Sequence, residues 1–313
     1  MITNRHTVVG RLQRIAMIGK STIAVCVLSM SLFSSVACPK KQNLPGIENI
    51  TADTIKVLAI GNSFSQDALE FYLSGLARAA GIPIVIGNLS IGGASLALHW
   101  DNASNDKAVY AYRKINAEGK RESRSNVTIS EALSDQDWDF VSFQQVSQNA
   151  GRFETFIEPL PMLYSYVQEK LQGKETKFVF HQTWAYAQNT THGGFKQYNR
   201  NQLEMYHAIV EVSKRVKELV PIDIVVPSGT AIQNGRTSVI GDNFCRDGFH
   251  LDVNIGRYTA AATWFEVISG KSVIGNTFKP EASSANEVEI AQQAAHAAVL
   301  NPYKITELAH YKK

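Results

Sequence analysis

The chain has little to hold it together covalently. Its 313 residues include only three cysteines, Cys26, Cys38 and Cys245. Two of them fall in the N-terminal segment, so Cys245 is left alone and no intramolecular disulfide is expected in the rest of the chain. Stability has to come from a packed core, and 44% hydrophobic with 19% charged residues is ordinary for a globular protein that has one. An excess of charge is missing too. The formal net charge is +3, but residues 1–37 hold Arg5, Arg11, Arg14 and Lys20 and no acid, leaving 27 basic against 28 acidic residues beyond them. That balance lacks the electrostatic footprint of a nucleic-acid binder. There is no His-x-His, Cys-x-x-Cys or His-Glu-x-x-His run, and His192, His207 and His296 show no ligand spacing, which argues against a catalytic metal. No fixed-period repeat or low-complexity tract interrupts the chain.

The N-terminus has its own character. Basic residues through Lys20 precede STIAVCVLSMSLFSSVAC, an apolar stretch with the layout of a secretory signal. A membrane-spanning anchor, the alternative, needs a longer run. Ser34, Ser35 and Ala37 before Cys38 resemble a bacterial lipobox, with Ser35 where leucine is usual, and imply cleavage and lipidation at Cys38. Residues 1–37 are therefore expected to be a signal peptide, 38–53 a polar linker and 54–313 the folded domain. Met17 opens a complete signal by itself, so the start is Met1 or Met17. The expected location is the periplasm or, as a lipoprotein, the outer membrane or cell surface of a bacterium. Membrane contact is expected only through the lipid.

Beyond the linker, short apolar runs alternate with helical patterns. TIKVLAI (Thr54–Ile60), IPIVIGNL, WDFVSFQ, TKFVFHQ and IDIVVPSG read as five strands. QDALEFYLSGLARAA reads as one helix, and further helices are expected near Pro159–Gln172, Tyr198–Leu219, Asn254–Ser269 and Ala285–Ala298. Such alternation predicts an α/β fold with a parallel sheet covered on both faces. The polar segment 101–137 fits less well and reads as a hairpin, a lid insertion or a surface excursion.

Ligands of open parallel sheets bind beyond the carboxyl ends of the strands. Gly61-Asn62-Ser63 follows the first strand there. It lacks the lysine of a phosphate-binding loop and the three spaced glycines of a dinucleotide fingerprint. Ser65 reads as the N-cap of the next helix, which leaves Ser63 free at the turn. A serine between a strand and a helix N-terminus is well placed for nucleophilic attack, with backbone N–H groups near to hold an oxyanion. Such a serine needs a base and an orienting acid. GDNFCRDGFHLD offers Asp247 and His250 three residues apart, with Asp242 and Asp252 as rival acids.

Taken in order, the Gly-x-Ser turn, the Gly92-Gly93 turn, the amides of QQVSQNAG and Asp247-x-x-His250 resemble the four blocks of the SGNH/GDSL hydrolase superfamily. They span about Val57 to Ser269. The pattern looks most like a branch of unknown function found among exported bacterial proteins. The resemblance implies a three-layer α/β/α sandwich with a parallel, flavodoxin-like five-stranded sheet. It implies Ser63 as nucleophile and Asp247 and His250 as its partners. The oxyanion hole would comprise the N–H groups of Ser63 and Gly93 and a side-chain amide. The family's third block is usually Gly-x-Asn-Asp. Here the asparagine position falls on Gln148, counting from Asp139, with Gln145 a close rival. The first block is Gly-Asn-Ser-Phe, not Gly-Asp-Ser-Leu.

Aromatic residues near strand ends can stack on sugar rings or simply fill the core. His99, Trp100, Trp184 and Tyr186 stand there, and substrate contact is expected of them; His181 reads as a satisfied core residue. The expected function is an exported serine esterase that needs no cofactor and removes acyl groups, acetyl first among them, from a carbohydrate. Its partner is a small-molecule or glycan ester, not nucleic acid. The alternatives are a non-catalytic glycan-binding lipoprotein on the same scaffold, and a lipase or thioesterase.

Overall fold

The computed structural model describes residues 54–312. The signal segment, the lipobox with Cys38 and residues 38–53 of the linker lie outside the described residues. In chain order the elements are β1 (Ile55–Gly61), α1 (Ser63–Leu69), α2 (Leu73–Ala79), β2 (Ile84–Ser90), α3 (Leu96–Ser104), β3 (Tyr110–Ile115), β4 (Arg121–Val127), α4 (Ile129–Ser134), β5 (Phe140–Phe143), α5 (Pro159–Leu171), β6 (Lys177–His181), α6 (Gln202–Arg215), β7 (Ile224–Val226), α7 (Ser228–Arg236), α8 (Ile255–Ser269) and α9 (Ala285–Leu300).

The strands form one sheet in the order β4-β3-β2-β1-β5-β6-β7. The five expected strands are its parallel part, β2-β1-β5-β6-β7. Two strands are added to that expectation. The 101–137 segment contributes α3's end and an antiparallel hairpin, β3–β4, which extends the sheet beyond β2. Six of the seven residues of β4, RESRSNV, are exposed, so the strand carries no apolar signal. A charged edge of this kind blunts pairing with another chain.

β1 is buried along nearly its whole length because helices cover both faces. Alternation sends Val57 and Ala59 into one core, with Phe64, Leu76, Tyr258 and Trp264. Leu58 and Ile60 enter the other, with Leu96, Trp138, Leu160 and Leu163. The molecule is thus an α/β/α sandwich. α8 lies between the sheet and α9, and 13 of its 15 residues are buried, which is why its sequence is apolar all round.

The single helix expected over QDALEFYLSGLARAA is two. α1 ends at Glu70, whose carboxylate turns inward to accept from Asn88 Nδ2 and Arg113 Nε, both at 2.6 Å. The cap of α1 also differs from expectation. Asn62, not Ser65, caps it, accepting from Phe64 N at 2.9 Å. Helix therefore begins at Ser63 itself, and Ser65 Oγ shares its one proton between Asn62 O at 2.8 Å and Asn88 Oδ1 at 2.9 Å.

After β1 the chain crosses to β2 on one side, and β5 later pairs on the other. β1 is therefore the switch point of the parallel sheet, and the crevice of such folds opens at its carboxyl end. Ser63 lies there.

Candidate active site

The Ser63 turn is built by Gly61 and Asn62. A Cβ on Gly61 would come within 2.4 Å of Ser65 Oγ, so the close return of α1 onto β1 requires glycine. Besides capping α1, Asn62 Oδ1 accepts from Gln144 Nε2 at 2.7 Å, and its Nδ2 donates to Ala94 O at 3.0 Å. One side chain thus joins the turn to the end of β5 and to the loop after β2. Behind it, Gln144 Oε1 lies 3.1 Å from His181 Nδ1, and His181 Nε2 lies 3.0 Å from Ser228 Oγ. Burial lowers His181 to about 3, so it is a neutral core residue as expected.

Ser63 is half-buried, and its Oγ lies 2.9 Å from His250 Nε2. His250 Nδ1 lies 2.7 Å from Asp247 Oδ2. Asp247 Oδ1 accepts from the backbone N–H groups of Phe249 and His250 at 3.1 and 2.7 Å. Partial burial pushes the Asp247 carboxyl up. The bonds from His250 and from the two backbone groups outweigh it and hold the carboxyl below its ordinary range. An ionised Asp247 accepts the Nδ1 proton, which leaves the lone pair of Nε2 facing the Ser63 hydroxyl. The tight loop needs Gly248 between them: its φ is +88°, and a Cβ there would meet Thr190 Oγ1 at 2.6 Å.

The rival acids are committed elsewhere. Asp242 binds Arg236 Nε and Gln202 Nε2 through Oδ1, both at 2.8 Å, and Gln188 N through Oδ2. Asp252 Oδ1 accepts from Asn254 N and Ile255 N at the start of α8.

The two glutamines separate cleanly. Gln145 is buried, with Oε1 accepting from Leu96 N and Val146 N and Nε2 donating to Thr155 O and Oγ1. Its amide is consumed in joining the loops after β2 and β5, which corrects the expectation that it could serve an oxyanion. Gln148 is half-buried, and its side-chain amide has no hydrogen-bond partner among the described residues. Gly93 is exposed in the turn after β2, one residue from the Ala94 carbonyl that Asn62 holds.

Three of the four aromatic expectations are corrected. Trp184 is fully buried, stacked on Phe64 with centroids 4.2 Å apart and planes 3° apart, and donates from Nε1 to Phe249 O at 2.7 Å. It braces both the residue after Ser63 and the one before His250, and has no face left for a sugar. Tyr186 is also fully buried, its hydroxyl 2.8 Å from Ser147 Oγ. The reason is that residues 182–187, the run after β6, stay inside the fold. His99 is buried on α3 against Tyr110 Oη at 2.8 Å, and burial lowers it to about 4. Trp100 is half-buried against the α3–α5 core.

The chain matches the family described as "Domain of unknown function (DUF4886)" over residues 56–298 and belongs to that family. It is 51% identical to a DUF4886 family protein from Bacteroides uniformis, whose crystal structure aligns over 83% of this chain and 100% of that one with a TM-score of 0.82. More distant likenesses include an acetylxylan esterase from Geobacillus stearothermophilus, at 12% identity over 68% of this chain and 94% of that one, TM-score 0.43. Another is a carbohydrate esterase family 3 protein from Talaromyces cellulolyticus, at 10% identity over 67% and 94%, TM-score 0.41. Among curated proteins, none matches the sequence.

Proposed function

We propose that the protein is a serine esterase of the SGNH type, exported from the cytoplasm, that removes acetyl or similar small acyl groups from a carbohydrate. The observation that carries the reading is the relay from Ser63 Oγ to His250 Nε2 at 2.9 Å and from His250 Nδ1 to Asp247 Oδ2 at 2.7 Å. A structural histidine has no need of a half-buried serine on one nitrogen and a carboxylate on the other.

In this reading Ser63 Oγ attacks the ester carbonyl carbon while its proton passes to His250 Nε2. Asp247 fixes the tautomer and stabilises the imidazolium. The oxyanion is received by Ser63 N–H, Gly93 N–H and the amide of Gln148. His250 gives the proton to the departing alkoxide, which leaves as the alcohol. Water, deprotonated by the same imidazole, then releases the acid from the acyl-enzyme. Each oxyanion donor is worth roughly 10²–10³ in rate. No step calls for a cofactor.

The carbohydrate and the acetyl group rest on the motif resemblance and on export. Export rests on residues 1–37, and the only membrane contact proposed is a lipid on Cys38. Acetate release from acetylated xylan, measured for the mature protein beside Ser63→Ala, tests the substrate class. Ser63-dependent release supports it; Ser63-dependent cleavage of p-nitrophenyl acetate with no release from any acetylated glycan refutes the carbohydrate part alone. Unprocessed chain in the cytoplasmic fraction of an expressing bacterium would refute export.

A further inference from the structure

Asp67 stands one helical turn after Ser63 on α1, so the two project from the same face of that helix. Its side chain is 2% exposed and accepts three bonds. Oδ2 takes Leu251 N and Arg246 Nη1, both at 3.0 Å, and Oδ1 takes Arg257 Nε at 2.8 Å. All three donors lie on the segment that carries His250 or on the first turns of α8 behind it. Arg246 returns to the same place, donating from Nη1 to Leu251 O, while its backbone N donates to His250 O at 2.9 Å. Cys245 and Leu251 close this loop with an isolated bridge. The Arg257 guanidinium is held in turn by the Phe71 ring, 3.7 Å away.

We propose that Asp67 is a positioning residue for the Ser63–His250 pair. It rests on the serine-esterase reading. The nucleophile and the base sit on elements 187 residues apart in sequence, and their reaction needs a hydrogen bond between them. Asp247 does not set that separation: it lies on the same loop as His250 and moves with it. Asp67 does, because one buried carboxylate on the nucleophile's helix takes the backbone N–H next to His250 and both arginines that flank the loop. A displacement of about 1 Å between reacting groups is enough to cost about 10²-fold in rate.

This role makes a pattern that a merely structural residue does not. Without the strut, the Asp247–His250 bond persists while the Ser63–His250 bond is lost. The test uses Asp67→Asn in the mature protein, with p-nitrophenyl acetate kinetics, the low-field proton NMR signal of His250 Nδ1–H, and a crystal structure. The expected result is a kcat about 10- to 100-fold lower well below the melting temperature, with KM unchanged. The acid limb of the kcat/KM–pH profile and the low-field proton both stay in place, and the Ser63 Oγ–His250 Nε2 distance lengthens. Wild-type kcat in the folded variant, or that distance kept at 2.9 Å, overturns the proposal. So does a kcat loss that comes with loss of the low-field signal, because Asp67 would then act on the imidazole itself. Should Asp67→Asn fail to fold, Arg246→Gln carries the test, since its side chain is a third exposed. A smaller kcat loss of the same pattern supports the strut, and an unchanged kcat refutes it. A wild-type protein without Ser63-dependent esterase activity would defeat the functional reading instead, and the crystallographic distance would still decide the role of Asp67.

Discussion

Replacing Asp247 with asparagine separates the chemistry of the site from its architecture. The carboxylate does two things: Oδ1 holds the backbone N–H groups of Phe249 and His250, and Oδ2 takes the imidazole Nδ1 proton. An amide oxygen can keep the first task. Its NH2 then faces Nδ1, which has to become an acceptor, and the ring proton moves to Nε2. That puts a hydrogen, not a lone pair, on the Nε2 that lies 2.9 Å from Ser63 Oγ. The general base is lost without moving an atom of the loop. In a comparable triad the same change costs on the order of 10⁴ in kcat, or about 5 kcal/mol of barrier. Stability should respond far less. The depressed folded value of Asp247 means that its contribution is present above the ordinary carboxylate range and is lost as pH falls through that depressed value. With 42% of the side chain exposed, solvent screens much of it. The assay is p-nitrophenyl acetate hydrolysis from pH 5 to 9 with melting curves alongside. An Asp247→Asn protein that melts like the wild type yet keeps more than about a tenth of its kcat would refute the tautomer argument.

Other consequences follow from the same geometry. Gln148→Ala should lower kcat by roughly 10²–10³ with little change in melting temperature. Gln145→Ala should do the reverse, because it strands the N–H groups of Leu96 and Val146, at about 1–3 kcal/mol for each buried donor left unpaired; steady-state kinetics and denaturant melts on both variants check the contrast. Gly248→Ala puts a side chain at φ +88° and against Thr190, and a loss of at least about 1 kcal/mol is expected in urea titrations, with a parallel loss of activity. On α9, His296 is raised by its 2.6 Å bond to the buried Glu266. Its stabilisation is fully present below the ordinary imidazole value and fades as pH rises through the raised folded value, so the difference in melting temperature between wild type and His296→Ala should shrink from pH 6 to pH 9.

Much of this molecule is legible in its sequence, and the exceptions have physical causes. The parallel strands announce themselves because burial on both faces leaves runs such as TIKVLAI with no polar side to hide them. The hairpin β3–β4 is only one of three readings of residues 101–137, because its outer strand is solvated and gives no apolar alternation to single it out. Asp247 and His250 are readable because a three-residue loop spacing brings them together locally, whereas the meeting of His250 with Ser63 depends on the whole fold. Trp184 and Tyr186 mislead because a position just past a strand end suggests the cleft, while the chain there runs on through the core. Gln145 and Gln148 are equivalent on paper, and only the partners of Gln145 tell them apart. Asp67 carries no signal of its role until the fold delivers Leu251, Arg246 and Arg257 to it.

The central claim is that Ser63 is a nucleophile activated by His250. Its most direct test is labelling of the mature protein by a fluorophosphonate, read by mass spectrometry of the proteolytic peptides. The account predicts one phosphonyl group per chain, on Ser63, with the rate of labelling collapsing in His250→Ala. A protein left unlabelled, or labelled on another residue, or labelled at Ser63 as fast without His250 as with it, would contradict the account.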